Sequence, residues 1–131
     1  MKIVKGYPPN FKEIKKKFNL PKGVVFTFGD ILYSPDTISI PEDLMVHENV
    51  HSIQQGDDPA KWWKEYFKDS QFRLDQEIKA YQNQYYIFKL NYKDRNEQAR
   101  FLHKIASDLS GPIYGNIVSH SDAVQLIRGE K

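Results

Sequence analysis

The sequence contains no cysteine, which excludes disulfide bonds and any metal site built from thiolates. It also lacks an apolar run of the roughly 18 residues that a membrane-spanning helix needs, so we predict no membrane span. The formal net charge is only +2, so the molecule as a whole lacks the positive charge that attracts nucleic acid. We therefore expect the function to lie in a local arrangement of side chains.

The length and composition are suited to one hydrophobic core. With 131 residues, of which 40% are hydrophobic, we predict a single domain over residues 1–131. Residues 1–6 lack the apolar stretch of a signal peptide, so we predict a cytoplasmic protein. The sequence does not indicate an oligomeric state.

The most informative motif is His47-Glu48-Asn49-Val50-His51. Two histidines at i and i+4 lie one turn apart on the same face of a helix, so both imidazoles can reach one metal ion. Glu48 follows His47 directly and can contact a water on that metal without binding the metal itself. The motif therefore predicts a catalytic zinc site, with one Zn²⁺ per chain.

The flanking residues predict a helix around this motif. Pro41 is suited to the start of a helix, and Gly56 is a natural end. Between them, Val46, Val50 and Ile53 form an apolar stripe that we expect to face the core. The two histidines then border the buried face of the helix.

A catalytic zinc ion usually has a third protein ligand, and two acidic residues compete for this role. Asp57 is placed as in the long metzincin motif, but that motif requires glycine where this chain has Gln54, and a methionine turn that Met1 and Met45 do not provide. The alternative is Glu77, which lies beside a helical core stripe of Leu74, Ile78, Tyr81, Tyr85 and Phe88. A solvent-exposed Glu77 without a metal is the competing interpretation.

The motif followed by Glu77-x-x-Ala80 resembles the gluzincin zinc metallopeptidases, and the short chain is similar to their compact members, the minigluzincins. The run Ser110–Asn116 also resembles small phage-encoded proteins with the same zinc motif. The resemblance covers roughly residues 24–115. It implies a zincin-like core in which His47, His51 and Glu77 bind zinc and Glu48 is the general base of peptide hydrolysis. The expected partner is a peptide or protein substrate.

The fold class that we predict is α+β. Three short strands at residues 24–28, 31–33 and 37–40 are expected to form an antiparallel sheet, with a hairpin turn at Gly29-Asp30. A mainly helical core follows, with the zinc-motif helix, a helix over residues 59–68, and the Glu77 helix ending near Leu90. A helix starting at Asp94 or Asn96 follows. A last short helix, which is capped by Ser119 or Ser121 and contains Ala123 to Ile127, completes the predicted elements.

A hydrolase of this type needs a donor for the oxyanion that forms during the reaction. Tyr114 is our first candidate, because the loop that carries it is flanked by Gly111 and Gly115 and could curl over the site. His103 and His120 are rivals, although their spacing does not distinguish them from surface histidines.

Two other classes of function stay open. The chain could be a non-catalytic zinc-binding structural or protein-interaction protein, for example a phage component. Glu48 favours the enzyme, because a purely structural site has no need of a base there. A nucleic-acid-binding module would depend only on the run Lys15-Lys16-Lys17, which is more typical of a solvated helix face, so no nucleic acid is expected.

Overall fold

The computed structural model describes residues 1–129, and this part of the chain contains three β-strands and six α-helices. The strands are β1 (Lys2–Val4), β2 (Phe26–Phe28) and β3 (Ile31–Tyr33). The helices are α1 (Phe11–Lys17), α2 (Glu42–Gln55), α3 (Pro59–Lys68), α4 (Ser70–Asn91), α5 (Arg95–Leu109) and α6 (His120–Arg128). The fold is thus α+β and mostly helical, as predicted.

The sheet is mixed, and the prediction of a purely antiparallel sheet is wrong. β3 lies in the centre, pairs antiparallel with β2 through the Gly29-Asp30 turn, and pairs parallel with β1. Residues 37–40 form no strand, because β1 from the N-terminus occupies the edge of β3 that a third meander strand would use. Ile38, in the middle of that segment, is 66% exposed.

The observed ends of the helices agree closely with the capping and helix-ending residues in the sequence. Asp58, Asp94 and Ser119 cap α3, α5 and α6 by accepting hydrogen bonds from backbone N–H groups of the first turn. Gly56 ends α2 with a positive φ of 59°. The helices predicted from these signals are therefore confirmed. Lys15, Lys16 and Lys17 lie on α1 and are exposed, as expected for a solvated helix face.

The buried face of α2 is polar, and the predicted apolar stripe does not form it. Ile53 is 73% exposed, whereas His47 and His51 are only 3% and 5% exposed. The side chains buried along α2 are His47, Glu48, His51 and Gln55. Such a face needs internal hydrogen-bond partners, because buried polar groups without partners cost free energy. α4, the helix packed against α2, supplies several of them.

Two hydrophobic clusters flank this polar face. The aromatic core consists of Ile14, Phe18, Phe26, Trp62, Trp63 and Tyr66. The C-terminal core consists of Tyr81, Tyr85, Leu102, Ile105, Ala106, Leu109, Ala123, Val124 and Ile127. Tyr114 packs against both clusters. Within the described residues 1–129, no helix is long and apolar enough to cross a membrane.

Candidate metal centre

The structure brings the two histidines of the motif together with Glu77. Glu77 Oε1 lies 3.2 Å from His47 Nε2 and 3.1 Å from His51 Nε2. Glu77 is 3% exposed, so the interpretation of this residue as a surface charge is wrong. Ala80, one turn further along α4, is fully buried, and its small side chain allows α2 and α4 to approach closely.

These three side chains could hold a metal ion. Each offers a ligand atom, and the ligand atoms all lie within 4.8 Å of one another. Imidazole nitrogen and carboxylate oxygen are both common ligands of divalent transition metals. Asp57, the competing third ligand, is exposed after the end of α2 and is not part of this group.

Glu48 lies beside the three side chains and is held by the sheet. Its Oε2 is 3.5 Å from His47 Nε2, and its Oε1 accepts a hydrogen bond of 3.0 Å from the Thr27 hydroxyl on β2. Burial raises the pKa of Glu48, an effect that the neighbouring histidines only partly offset. A carboxylate with a raised pKa is suited to accept a proton and return it.

Glu77 and His51 each stabilise the charged form of the other and so shift each other's pKa. Burial alone would raise the pKa of Glu77, but His51 and the hydrogen bonds from both histidines lower it below its usual range. Burial likewise opposes a charge on His51, yet the Glu77 carboxylate raises the pKa of His51 to about 9. Without a metal ion, the protonated His51 and the ionised Glu77 therefore form a buried ion pair.

Both histidines have a second hydrogen-bond partner on the outer ring nitrogen. His47 Nδ1 is 2.9 Å from Gln84 Oε1 on α4, and His51 Nδ1 is 2.8 Å from Gln54 Oε1. The remaining oxygen of Glu77 accepts a 2.6 Å hydrogen bond from the Tyr66 hydroxyl. Such outer partners fix the orientation of metal-binding side chains.

Tyr114 lies at the edge of the site in a short 3₁₀ turn over Pro112–Tyr114. Its hydroxyl is 2.7 Å from the Tyr81 hydroxyl, and Tyr81 packs edge-on against the His47 ring at 4.4 Å between centroids. Arg73 Nε donates a 3.0 Å hydrogen bond to the Tyr114 carbonyl and so ties the turn to α4. Burial raises the pKa of Tyr114 well above 10, which keeps its hydroxyl protonated and able to donate.

The rival oxyanion donors, His103 and His120, are exposed and lie 3.2 Å apart, Nδ1 to Nε2, where they hydrogen-bond to each other. They do not line the spaces that reach His47 and Glu48.

Two spaces meet at the site. An open groove of about 530 Å³ passes between residues 21–25 and the Tyr114 turn. A smaller cavity of about 70 Å³ extends from the site into the aromatic core, where Phe18, Trp63 and Tyr66 line it. His47, Glu48 and Tyr114 line both spaces, so the candidate metal centre lies at their junction.

No protein-family model, no curated protein and no solved structure matches this chain.

The sequence did not identify the outer partners Gln84, Tyr66 and Thr27. Gln84 could have been noted, because it lies seven residues after Glu77 and therefore on the same face of α4. Thr27 and Tyr66 carry no such signal, since their contacts with Glu48 and Glu77 depend on how β2 and α3 pack against α2 and α4.

Proposed function

We propose that this protein is a zinc-dependent metallopeptidase with a zincin-like core of the gluzincin type. The observation that carries the proposal is the buried group of His47, His51 and Glu77 with Glu48 beside it. A site that only stabilised the fold would need the three ligands but no additional carboxylate of raised pKa. Glu48 therefore favours catalysis over a purely structural role.

The three ligands suit zinc. In a tetrahedral site with bonds of about 2.0–2.1 Å, neighbouring ligand atoms are separated by about 3.3 Å. The separations of 3.1 and 3.2 Å from Glu77 to the two imidazoles are close to this value. A catalytic zinc has three protein ligands and leaves one position open. When bound, zinc supplies a Lewis acid that polarises a carbonyl group and makes water more acidic.

Glu48 is placed to move the proton. In the proposed reaction, its carboxylate accepts a proton from the attacking water and then donates that proton to the nitrogen of the leaving amine. The hydrogen bond from Thr27 to Oε1 holds the side chain and leaves Oε2, the oxygen nearer His47, for this transfer. The raised pKa of Glu48 suits both steps.

The protonated hydroxyl of Tyr114 is the proposed donor to the oxyanion of the tetrahedral intermediate. Tyr114 lies across the groove from residues 24–25, which lead into the edge strand β2. An extended peptide in this groove could pair with the backbone there and present its carbonyl at the junction of the two spaces.

The decisive experiment measures zinc per chain and peptide hydrolysis in the purified protein and in a Glu77→Ala variant. We expect about one zinc ion per chain in the wild type and a much weaker site in the variant, because one of three ligands is lost. Asp75→Ala is the matched control, since it removes an exposed carboxylate from the same helix. Absence of zinc in the reconstituted wild type would refute the proposal. Tight zinc binding without hydrolysis of a broad peptide library would favour the structural or protein-interaction alternative.

A further inference from the structure

The backbone of Thr27 faces the outer edge of the sheet. On β3, the Asp30 carbonyl and the Ser34 N–H bond to β1, so the residues between them alternate in facing β1 and β2. Thr27 lies opposite Leu32, which faces β1, so this is a non-hydrogen-bonded pair of the β2–β3 ladder. The N–H and C=O groups of Thr27 therefore point away from β3. Because Thr27 is buried, its carbonyl needs a partner from outside the sheet.

Two buried side chains supply that partner. Gln55 Nε2 donates a 2.9 Å hydrogen bond to the Thr27 carbonyl, and Trp63 Nε1 donates a second one of 3.0 Å. Gln55 Oε1 also accepts a 2.7 Å hydrogen bond from the N–H of Gly29, two residues further along the same edge. The Gln55 amide thus takes the place of a neighbouring strand, and the three bonds fix β2 against α2 and α3.

Gln55 and Glu48 lie on the same face of α2 and reach the same residue of β2. They are separated by about two helical turns. Glu48 Oε1 accepts a 3.0 Å hydrogen bond from the Thr27 hydroxyl, whose oxygen also lies 3.4 Å from the Glu48 carbonyl oxygen. Thr27 is therefore held by Gln55 at its carbonyl and itself holds Glu48 by its hydroxyl.

Thr27 can orient Glu48 only where its own backbone is fixed. β2 is a strand of three residues at the edge of the sheet, so its pairing with β3 does not set its position relative to α2. The β-branched side chain of Thr27 has few rotamers, so the direction of its hydroxyl follows that of the backbone. The bonds to the Thr27 carbonyl therefore act on the place of the Glu48 carboxylate.

We propose that Gln55 and Trp63 are positioning residues for Glu48, because they fix the Thr27 backbone and with it the hydroxyl that binds Oε1. The inference rests on the proposed function, in which Oε2 of Glu48 transfers the proton. It adds two residues outside the ligand group that orient the base.

Crystal structures of the metal-free protein test the proposal without any measurement of activity. Gln55→Met and Trp63→Phe each remove one donor to the Thr27 carbonyl and keep most of the side-chain volume. In each variant we expect the distance from Thr27 Oγ1 to Glu48 Oε1 to increase from 3.0 Å to more than about 3.5 Å, where the hydrogen bond is lost. The two variants act on the same carbonyl from different helices, so either one decides the question if the other does not fold.

The reaction tests the same residues through kcat. We expect Gln55→Met to lower kcat by up to about 10²-fold, the cost of a misplacement of about 1 Å, with zinc content and KM unchanged. Thr27→Val removes the hydroxyl, so in that background Gln55→Met should cause no further loss of kcat. Thr27→Ser restores the hydroxyl, and in that background the effect of Gln55→Met should return. Losses that multiply in the Thr27→Val double variant would assign Gln55 to general stability and overturn the proposal.

Gln82→Met is the matched control for both measurements. Gln82 lies on α4, and its amide also donates to a backbone carbonyl, that of Leu126 on α6, at 2.9 Å. This variant should keep the wild-type kcat and the 3.0 Å distance from Thr27 to Glu48. A distance that stays at 3.0 Å in every folded Gln55 or Trp63 variant would overturn the proposal. A wild type that hydrolyses no peptide would refute the proposed function, and the crystal structures would still decide whether the two residues position Glu48.

Discussion

The four histidines of this chain form two pairs that differ in burial and in the groups that their ring nitrogens face. His47 and His51 are buried, and their Nε2 atoms converge on the Glu77 carboxylate. His103 and His120 are exposed on α5 and α6, and their ring nitrogens face each other at 3.2 Å. The first pair is oriented toward a shared carboxylate, whereas one ring nitrogen of each histidine in the second pair faces the other histidine.

The difference shows that two neighbouring imidazoles do not by themselves make a group of three possible metal ligands. The buried pair has an anionic ligand on the inner side and an acceptor for each outer nitrogen. Burial also strengthens the attraction between Glu77 and any cation, because the surroundings have a lower dielectric constant than water. The exposed pair has Ser107 nearby at 3.4 Å, but no carboxylate is found among its hydrogen-bond partners in the described part of the chain.

The largest effect should come from removing one member of the buried pair. We expect His51→Ala to reduce bound zinc from about one ion per chain to nearly none under dialysis, because two ligands do not hold a catalytic zinc ion. His103→Ala is the control and should keep full occupancy. Metal analysis after dialysis checks both. Equal losses in the two variants would mean that the pairs do not differ as the geometry indicates.

Glu48→Gln should separate chemistry from metal binding. The amide keeps the size of the side chain but cannot accept the proton, so we expect hydrolysis to fall about 10²–10⁴-fold while zinc occupancy is unchanged. Activity and metal content are measured on the same preparation. Loss of zinc in this variant would assign Glu48 to the ligand set instead.

Tyr114→Phe should have a smaller effect. Removal of one oxyanion donor typically lowers kcat about 10²–10³-fold, and the phenyl ring keeps the packing against both cores. Tyr86→Phe, at an exposed position of α4, is the matched control. An unchanged kcat would exclude Tyr114 as the donor.

The metal-free protein should lose stability as the pH rises. The folded pKa of His51 is raised from 6.5 to about 9, so its stabilising contribution is complete below pH 6.5 and is lost as the pH passes 9. The pKa of Glu77 is lowered, so its contribution is complete above pH 4.5 and is lost at lower pH. The contribution of the pair should therefore be greatest between these limits.

Chemical unfolding of the metal-free protein at a series of pH values checks this expectation. The His51 contribution is on the order of 3 kcal/mol, because the pKa of His51 is raised from 6.5 to about 9 on folding. His51→Gln should remove most of the loss of stability between pH 6.5 and 9, whereas His103→Gln should not. A wild-type free energy of unfolding that stays constant over this range would contradict the ion pair between His51 and Glu77.

Local signals in the sequence determined much of the helical part of the fold. The helix that carries His47 and His51 begins after Pro41 and ends before Gly56, because these residues act on their immediate neighbours. The i and i+4 spacing of the histidines then places both on one face without help from the rest of the chain. Side-chain caps at Asp58, Asp94 and Ser119 are local in the same sense.

The tertiary structure decided which face of α2 is buried. The apolar residues Val46 and Val50 are only partly buried and Ile53 is exposed, because the polar face finds its partners on α4 and β2. The parallel pairing of β1 with β3 was likewise beyond local signals, since it joins segments about thirty residues apart. Register between distant strands depends on the whole fold.

The sequence by itself thus determined the motif, the helix that carries it, and a later helix that carries Glu77 as one of two candidates for a third ligand. Only the tertiary structure decided that Glu77 reaches both imidazoles, that Thr27 holds Glu48, and that the glutamine amides face the outer nitrogens. The physical reason is the distance along the chain between the residues that interact. Spacing along a helix is fixed by backbone geometry within a few residues, whereas the meeting of α2 with α4 depends on the packing of side chains far apart in the chain.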